Sequence, residues 1–308
     1  MDLRQRLVEG REPVFLYGTT PPRAGAAAAQ VDEAADKLAA RVRPLGIDGI
    51  VVYDIQDESG RTSQPRPFPF IATVDPRRYS TLLRDRTGLV PITYKALGNM
   101  DESAWQGWLV ESAQANLRLL SVVGRPTSGV RYPLSLSRAV RVAADHPARF
   151  TVGGVVIAER HNEERSEAAR LLAKAVEGCG YFISQTVYHA APSERLLRDY
   201  LRDCRGAGVA PRRIVLTFAP CGREKTLGFL RWLGVNIAPE TATAILDAPQ
   251  PLAKSIAICR DNLRRILDAP AAAHIPLGVN VESVSINRDE IDASVELFHA
   301  LRDVMSGR

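Results

Sequence analysis

The sequence repeats one pattern eight times, a short run of β-branched and other apolar residues followed by a longer amphipathic stretch. Such runs predict strands, and the apolar spacing in the stretches between them predicts helices. The predicted strands are residues 14–17, 49–53, 89–94, 117–123, 150–157, 181–185, 214–218 and 279–285. The predicted helices that follow them are about 26–44, 76–86, 101–115, 134–145, 162–178, 193–206, 223–233 and 288–304.

Strands this apolar are buried on both faces, and their alternation with helices implies parallel pairing through right-handed crossovers. Eight units predict an α/β protein, a single (β/α)8 TIM barrel over residues 1–308, with a helical insert at about 238–270 before the last strand. The alternative is an open, doubly wound sheet. It is disfavoured because residues 18–22, Gly-Thr-Thr-Pro-Pro, lack the G-x-G-x-x-G phosphate fingerprint, and proline removes amide donors.

Composition excludes several classes of protein. With 45% hydrophobic and 24% charged residues, the chain can bury a large core, which disordered and fibrous proteins cannot. The net charge of +5 comes from cations scattered among acids, which predicts a solvated surface and no nucleic-acid interface. The sequence has neither a signal-peptide core nor 18 consecutive apolar residues, which predicts a cytoplasmic protein without a membrane span. A homo-oligomer is left open.

In a barrel of this kind the chemistry lies on the loops that follow the strands. Tyr53 and Lys95 end the second and third predicted strands, and we expect both to line a substrate site. The acidic residues Asp54, Asp57 and Glu58 could be interpreted as metal ligands, because hard cations bind several carboxylates. We favour a turn with solvated acids, because no histidine or second acidic pair has ligand spacing, and we predict no metal site.

Two further strand ends carry polar side chains that can bind a ligand. His161, in Glu-Arg-His after the fifth strand, presents either an imidazole that titrates near neutral pH or an ordinary surface side chain. Gln185 ends the sixth strand, where its amide could both donate to and accept from a planar heterocycle. A glutamine at a strand end is more often a turn residue, so this signal is weak alone.

The order and spacing of four segments resemble a known family. Residues 21–23 (Pro-Pro-Arg), 157–161 (Ile-Ala-Glu-Arg-His), 184–185 (Ser-Gln) and 285–288 (Ser-Ile-Asn-Arg) occur in the order of that family's motifs. The chain thereby resembles methylenetetrahydrofolate reductases, flavin-dependent barrels that reduce the methylene carbon of 5,10-methylenetetrahydrofolate to a methyl group. The likeness spans nearly the whole chain and is most specific over residues 157–185.

The resemblance implies a set of ligand contacts. His161, Glu167 and Lys174 fall on positions that contact the distal part of FAD, and Gln185 and Arg288 fall on positions that hold the folate. NADH or NADPH would be the hydride donor. The side-chain chemistry agrees with these roles, because an ammonium suits a pyrophosphate and a guanidinium offers a fork for a folate carboxylate.

The chain also departs from the family at the reacting centre. The family's first-strand glutamate, which protonates the leaving nitrogen of the folate five-membered ring, is Gly18 here, and glycine transfers no proton. The fourth-strand aspartate beside the flavin ring is replaced by Arg125, whose guanidinium would favour the anionic reduced flavin. The family's third-strand histidine is Ile92 or Thr93.

These departures leave two explanations within the resemblance. The favoured one is a divergent reductase in which Asp54, Glu58 or Glu282 supplies the acid and flavin is held differently or dispensed with. The other is a barrel that binds a folate or a different heterocycle for another one-carbon reaction. From a different class, the protein could be a non-catalytic pterin- or flavin-binding partner of another enzyme.

Overall fold

Eight parallel strands close into a barrel in which each strand pairs with its neighbours in the chain and the last pairs with the first. In this computed structural model the described residues are 1–57, 63–124 and 133–307. The strands are β1 (Val14–Thr19), β2 (Gly49–Val52), β3 (Val90–Ala96), β4 (Leu119–Val123), β5 (Thr151–Val156), β6 (Cys179–Thr186), β7 (Arg213–Phe218) and β8 (Leu277–Glu282). The predicted TIM barrel is confirmed.

Helices alternate with the strands and surround them. They are α1 (Leu3–Val8), α2 (Ala28–Val42), α3 (Pro76–Thr87), α4 (Glu102–Gln114), α5 (Leu136–Ala144), α6 (Glu167–Glu177), α7 (Ala190–Ala207), α8 (Glu224–Trp232), α9 (Pro239–Leu246), α10 (Pro251–Asp268) and α11 (Arg288–Ser306). The extra helices predicted before the last strand are present. Among the described residues, no helix is both long and apolar enough to cross a membrane.

The seventh unit differs from its prediction in one respect. The sequence pattern makes α8 the outer helix that follows β7, but α10 takes that place and packs between α7 and α11. Helix α8 instead stays at the carboxyl end of the barrel. Near its start, Thr226 donates to Glu290 at the beginning of α11, and just past its end the carbonyl of Leu233 accepts from Gln185 at the end of β6.

Helix α1, which the sequence pattern does not predict, closes the amino-terminal end of the barrel. Two of its three apolar residues, Leu3 and Leu7, join the interior cluster of strand side chains. Arg213 of β7 is 1% exposed, and its guanidinium donates to the carbonyls of Leu277, Arg6 and Gly10. Burial lowers the pKa of Arg213 to about 10. The closed amino-terminal end leaves the opposite, carboxyl end as the open face.

A cap made of residues 63–75 and α8 lies at this carboxyl end. Residues 72–74 of the cap pair with the loop after β1, where Ala24 N donates to Ala72 O at 2.7 Å. Farther along, Trp232 Nε1 of α8 donates to Gln64 O at 3.1 Å, and the rings of Phe68 and Phe229 pack edge to face with centroids 5.2 Å apart. Aromatic packing of this kind holds the two parts of the cap together.

Candidate functional site

The carboxylate of Glu282 occupies the space that a side chain at Gly18 would fill. The two residues are register partners on β8 and β1. A Cβ built on Gly18 would lie 3.0 Å from Glu282 Oε2 and 3.0 Å from Cε2 of the Tyr53 ring. Glycine at this position therefore lets two side chains from the neighbouring strands meet above β1.

The surroundings of Glu282 favour its protonated form. Thr186 Oγ1 donates to Glu282 Oε1 at 3.4 Å, whereas Oε2 is buried and has no hydrogen-bond partner within the described ranges. Burial raises the pKa of Glu282 because a charged carboxylate is poorly solvated there. The polar side chains of Tyr53, Thr186 and Asn280 offset only part of that effect.

A polar network of neutral groups surrounds this carboxyl group. Asn280 Nδ2 donates to the hydroxyl of Tyr53 at 2.9 Å and to Thr217 Oγ1 at 3.3 Å. The rings of Tyr53 and Tyr94 pack edge to face with centroids 4.8 Å apart. Burial, followed by the nearby charge of Glu282, raises the pKa of Tyr53 well above its ordinary value, so its phenol stays neutral.

Asp54 and Lys95, both predicted from strand ends, form an ion pair. Asp54 Oδ2 accepts from Lys95 Nζ at 3.1 Å and from Ala96 N at 3.0 Å, while Oδ1 accepts from Gln56 Nε2 at 3.0 Å. The Asp54 side chain is only 7% exposed. Both oxygens are therefore already engaged, and this pair fixes the ends of β2 and β3 relative to each other.

Gln185 links the cap to the polar network. The pairing of β6 with β7 shifts register between Ile183 and Thr186, a bulge of the kind that re-aims side chains near sites. Gln185 Nε2 donates to Leu233 O at 3.2 Å, and its Oε1 accepts from Thr186 N at 3.0 Å. The amide thus lies at the mouth as predicted, with both ends already paired. Its contact with a substrate stays a prediction.

The remaining predicted site residues lie apart from this network or outside the described residues. Arg288 begins α11, and its side chain is 92% exposed with an ion pair to Asp292 at 3.6 Å. Glu58 and Arg125 fall outside the described residues. Ile92 is buried in the interior cluster. Thr93, the next residue of β3, lies on the opposite face of the strand and donates to Ser80 Oγ of α3 at 2.9 Å.

The three residues assigned to FAD by resemblance are occupied by protein contacts. His161 Nε2 and Asp199 Oδ2 of α7 are 2.8 Å apart, and Lys174 Nζ donates to Val155 O at 2.8 Å. Burial lowers the pKa of Lys174. Glu167 is buried with an ion pair to Arg170 at 3.6 Å. In this arrangement Lys174 offers no exposed ammonium to a pyrophosphate, so the set does not fit a flavin dinucleotide without rearrangement.

Two polar residues of the network, Thr186 and Asn280, are absent from the sequence prediction. A sequence feature could have identified each of them. Asn280 interrupts an otherwise apolar run of β8, and Thr186 directly follows the predicted end of the sixth strand. Within the described part of the chain, no group of three or more acidic, histidine or cysteine side chains is arranged to hold a metal ion.

A second cleft, of about 630 Å³, opens at the amino-terminal end of the barrel beside Arg6, Phe15 and Met305. It is the poorer candidate for a functional site. Barrels of this architecture carry their chemistry at the carboxyl ends of the strands, and conservation of structure at the other end serves stability.

Comparisons with known proteins bear on this barrel. No protein-family model matches the chain, and no curated protein does. A solved structure of an uncharacterized protein from Clostridium thermocellum, which binds two copies of 5-methyl-5,6,7,8-tetrahydrofolic acid, is similar with a TM-score of 0.82 and 28% identity. The match covers 99% of this chain and 100% of that chain. Tryptophan synthase from M. tuberculosis, in its open form with BRD0059 bound, shares the fold alone, with a TM-score of 0.54, 11% identity, and coverage of 96% and 93%.

Proposed function

We propose that the mouth of this barrel binds a reduced folate and that the protein is a cytoplasmic oxidoreductase of one-carbon metabolism. In the proposed reaction, NADH or NADPH reduces 5,10-methylenetetrahydrofolate to 5-methyltetrahydrofolate. The observation that carries the proposal is the full-length similarity to the Clostridium thermocellum protein, because the ligand of that protein is the product of this reaction.

The side chains at the mouth suit a pterin. A pterin is a planar ring system with donors and acceptors along one edge, and the mouth combines aromatic rings with neutral polar groups. Tyr53 and Tyr94 supply the rings, while Gln185 and Thr186 supply amide and hydroxyl groups at the bulged end of β6. Lys95, 17% exposed beside Asp54, adds a cation near the anionic tail of a bound folate.

The proposed hydride transfer runs directly from the nicotinamide to the methylene carbon. The two carbons must be held about 3–3.5 Å apart for this step, a distance set by binding both molecules in one mouth. The proposed reaction does not use flavin, because His161, Glu167 and Lys174 make contacts within the protein that would have to break to bind that cofactor.

A non-catalytic folate-binding protein is the second candidate. One observation favours it: Gly18 stands where the resemblance places the proton donor, so the chain lacks the family's own acid. A barrel repurposed for another one-carbon reaction is equally compatible with that loss. Neither alternative predicts oxidation of NADH or NADPH by methylenetetrahydrofolate, so activity separates them from the reductase.

Two measurements on the purified protein test the proposal. Calorimetry with 5-methyltetrahydrofolate measures binding, and the loss of NADH or NADPH absorbance on addition of methylenetetrahydrofolate measures turnover, with the methyl product identified chromatographically. Binding with turnover supports the reductase. Binding without turnover identifies a folate-binding protein or another one-carbon reaction. Absence of binding at millimolar folate overturns the proposal.

A further inference from the structure

The geometry points to Glu282 as the residue that gives the folate its proton: a donor moved from the first strand of the barrel to the eighth. We propose this on top of the function above, so it rests on the assumption that methylenetetrahydrofolate is the substrate. The family resemblance assigns the donor to the first strand. Nothing in that assignment places an acid on β8.

The closure of the barrel makes the exchange of strands geometrically possible. Gly18 and Glu282 are register partners, so their Cα atoms lie at the same level of the mouth. A Cβ on Gly18 would lie 3.0 Å from Glu282 Oε2 and 3.1 Å from Glu282 Cβ. A carboxyl group reaching over from β8 therefore occupies the volume that a first-strand glutamate would fill, and the two side chains exclude each other.

The Oε2 atom of Glu282 is the part of this group available to a ligand. It is buried and makes no hydrogen bond in the described part of the chain, whereas Oε1 accepts from Thr186. A buried, unpartnered carboxyl oxygen destabilises the folded protein unless a ligand satisfies it. Such a cost is expected at a site where a bound substrate completes the hydrogen bond.

The other acids at the mouth are poorer donors. Asp54 accepts three hydrogen bonds, one of them from the Lys95 ammonium, so both of its oxygens are already engaged by the protein. Glu159, after β5, also has a raised pKa because of burial, but backbone amides, including that of Asn236, bind its carboxylate. Glu58 lies outside the described residues. Among the described carboxyl groups, Glu282 alone combines a place beside Gly18 with an unpartnered oxygen.

Neutral groups face Glu282 from the neighbouring strands. They are the phenols of Tyr53 after β2 and Tyr94 on β3, together with Thr186 on β6 and Asn280 on β8 itself. Both phenols have a pKa raised above the ordinary value by burial, so both remain uncharged at neutral pH. The proton on Glu282 is therefore retained to a higher pH than that of an exposed glutamate.

In the proposed step, the carboxylic acid of Glu282 transfers its proton to the leaving nitrogen of the five-membered ring. The bond between that nitrogen and the methylene carbon breaks, and the electron pair of this bond stays on the nitrogen. A methylene iminium remains. Hydride from the reduced nicotinamide adds to the methylene carbon, giving the methyl group and the oxidised nicotinamide. The Glu282 carboxylate then takes a proton from solvent.

Replacing the acid with its amide is the first test. Because general acid catalysis contributes about 100- to 10,000-fold to a rate, Glu282→Gln should lower kcat by that factor. Its affinity for 5-methyltetrahydrofolate, which needs no proton, should stay within about threefold, or ~0.7 kcal/mol, of wild type. The matched control is Glu159→Gln, which removes another partly buried carboxyl group at the mouth and should keep kcat near the wild-type value.

The pH profile adds a readout that a structural role would not change. Wild-type kcat should fall as pH rises through the raised pKa of Glu282, because the carboxylate form cannot donate. The residual activity of Glu282→Gln should lack that decline. An unchanged profile in the variant would assign the proton to another group and overturn the inference.

Moving the acid back to the first strand keeps the test decisive if Glu282→Gln folds poorly. Gly18→Glu alone should lose activity, because its side chain collides with Glu282 and Tyr53. Gly18→Glu combined with Glu282→Gly should recover turnover well above that of Glu282→Gly alone. Failure of the double variant to exceed Glu282→Gly, with both folded by circular dichroism, would overturn the inference.

The outcomes separate this inference from the proposed function. A wild-type protein without turnover overturns both. A wild-type protein that turns over methylenetetrahydrofolate, with Glu282→Gln equally active, overturns only the assignment of the proton donor. Turnover that is lost in Glu282→Gln, retained in Glu159→Gln and recovered on moving the acid to residue 18 supports it.

Discussion

Asn280 on β8 donates a hydrogen bond to the hydroxyl of Tyr53, which follows β2, across the strand that lies between them. That intervening strand is β1, where Gly18 leaves room for the Tyr53 ring, because a Cβ there would lie 3.0 Å from Tyr53 Cε2. The contact at 2.9 Å depends on the same missing Cβ that admits the Glu282 carboxyl group. The polar network at the mouth is therefore organised around one glycine.

Adding a methyl group at Gly18 should disturb this network. In Gly18→Ala the new Cβ lies 3.0 Å from Glu282 Oε2 and from the Tyr53 ring, so one of them must shift. We expect a loss of about 1–3 kcal/mol in the free energy of unfolding, the usual cost of overpacking, measured by urea denaturation. Turnover of methylenetetrahydrofolate should fall as well.

The control for Gly18→Ala is Gly107→Ala in α4. A Cβ at Gly107 meets no heavy atom within 4 Å, and alanine favours a helix. This variant should gain about 0.5–1 kcal/mol. Equal stability changes in the two variants would show that the close contacts at Gly18 carry no energetic weight.

Gln185 and Arg288 are expected to contribute to folate affinity. Arg288→Ala should weaken 5-methyltetrahydrofolate binding by roughly 10- to 150-fold, because a charged hydrogen bond to a carboxylate is worth about 1.5–3 kcal/mol. The exposed position of Arg288 makes this a demanding test, since the guanidinium must swing onto the ligand. Gln185→Ala should also weaken binding, and it removes the link between the cap and Thr186.

Calorimetry on both variants measures the change, and Arg260→Ala on α10 serves as a matched surface control. Arg260 pairs with Asp261 away from the mouth, so its loss should leave affinity unchanged. Wild-type affinity in both Gln185→Ala and Arg288→Ala would contradict the placement of folate at these residues.

The sequence predicted the barrel and most of its elements because each strand and helix carries its own local pattern. Helix α1 and the position of α8 could not be predicted from a local pattern. Helix α1 has six residues, of which only Leu3 and Leu7 are buried, and its place in the barrel depends on Arg213, far along the chain. The position of α8 depends on contacts with Glu290 and Gln185, which no periodicity records.

The candidate site was predicted only in part for a related reason. Tyr53, Asp54, Lys95, Gln185 and Glu282 could be found because strand ends meet at one face of a barrel. The proximity of Glu282 to Gly18 follows from barrel closure between the first and last strands, which brings opposite ends of the chain together. The sequence shows that the family's first-strand acid is replaced by Gly18 and that Glu282 is a candidate acid. It does not show that the Glu282 carboxyl group occupies the space beside Gly18.

Arg213 should be a major determinant of stability. Its guanidinium donates to three carbonyls, two of them in buried contacts, and joins α1 to the barrel, so Arg213→Met removes the donor of all three. We expect the free energy of unfolding to fall by about 2–6 kcal/mol, because each buried polar group left unpaired costs about 1–3 kcal/mol. Urea denaturation measures this, with Arg78→Met, at an exposed position of α3, as control. A loss below about 1 kcal/mol, typical of a surface change, would contradict it.

The cluster around Asp199 should make stability depend on acid pH. Hydrogen bonds from Arg198, followed by those from His161 and the charge of Arg202, lower the pKa of Asp199 from 3.8 to about 2. A carboxyl group whose pKa is depressed in the folded state stabilises the protein above its unfolded pKa, and that contribution is lost as pH falls. Melting temperature should therefore drop between about pH 4 and pH 2. Asp199→Asn should flatten that part of the curve, and an identical acid-induced drop in the variant would contradict the assignment.

Flavin should bind weakly if it binds at all. The side chains that resemblance assigns to FAD are held by the protein itself: Lys174 by the carbonyl of Val155 and His161 by Asp199. Binding a dinucleotide there would require breaking these contacts, and each hydrogen bond to a charged group costs about 1.5–3 kcal/mol to lose. We expect the purified protein to carry far less than one equivalent of FAD by its visible absorbance. Added FAD should leave the melting temperature unchanged, and Lys174→Met should not alter NADH or NADPH oxidation in folded protein. Stoichiometric FAD that is lost in Lys174→Met would show instead that Lys174 leaves Val155 to bind the cofactor, and the direct transfer of hydride from nicotinamide to folate would then be wrong.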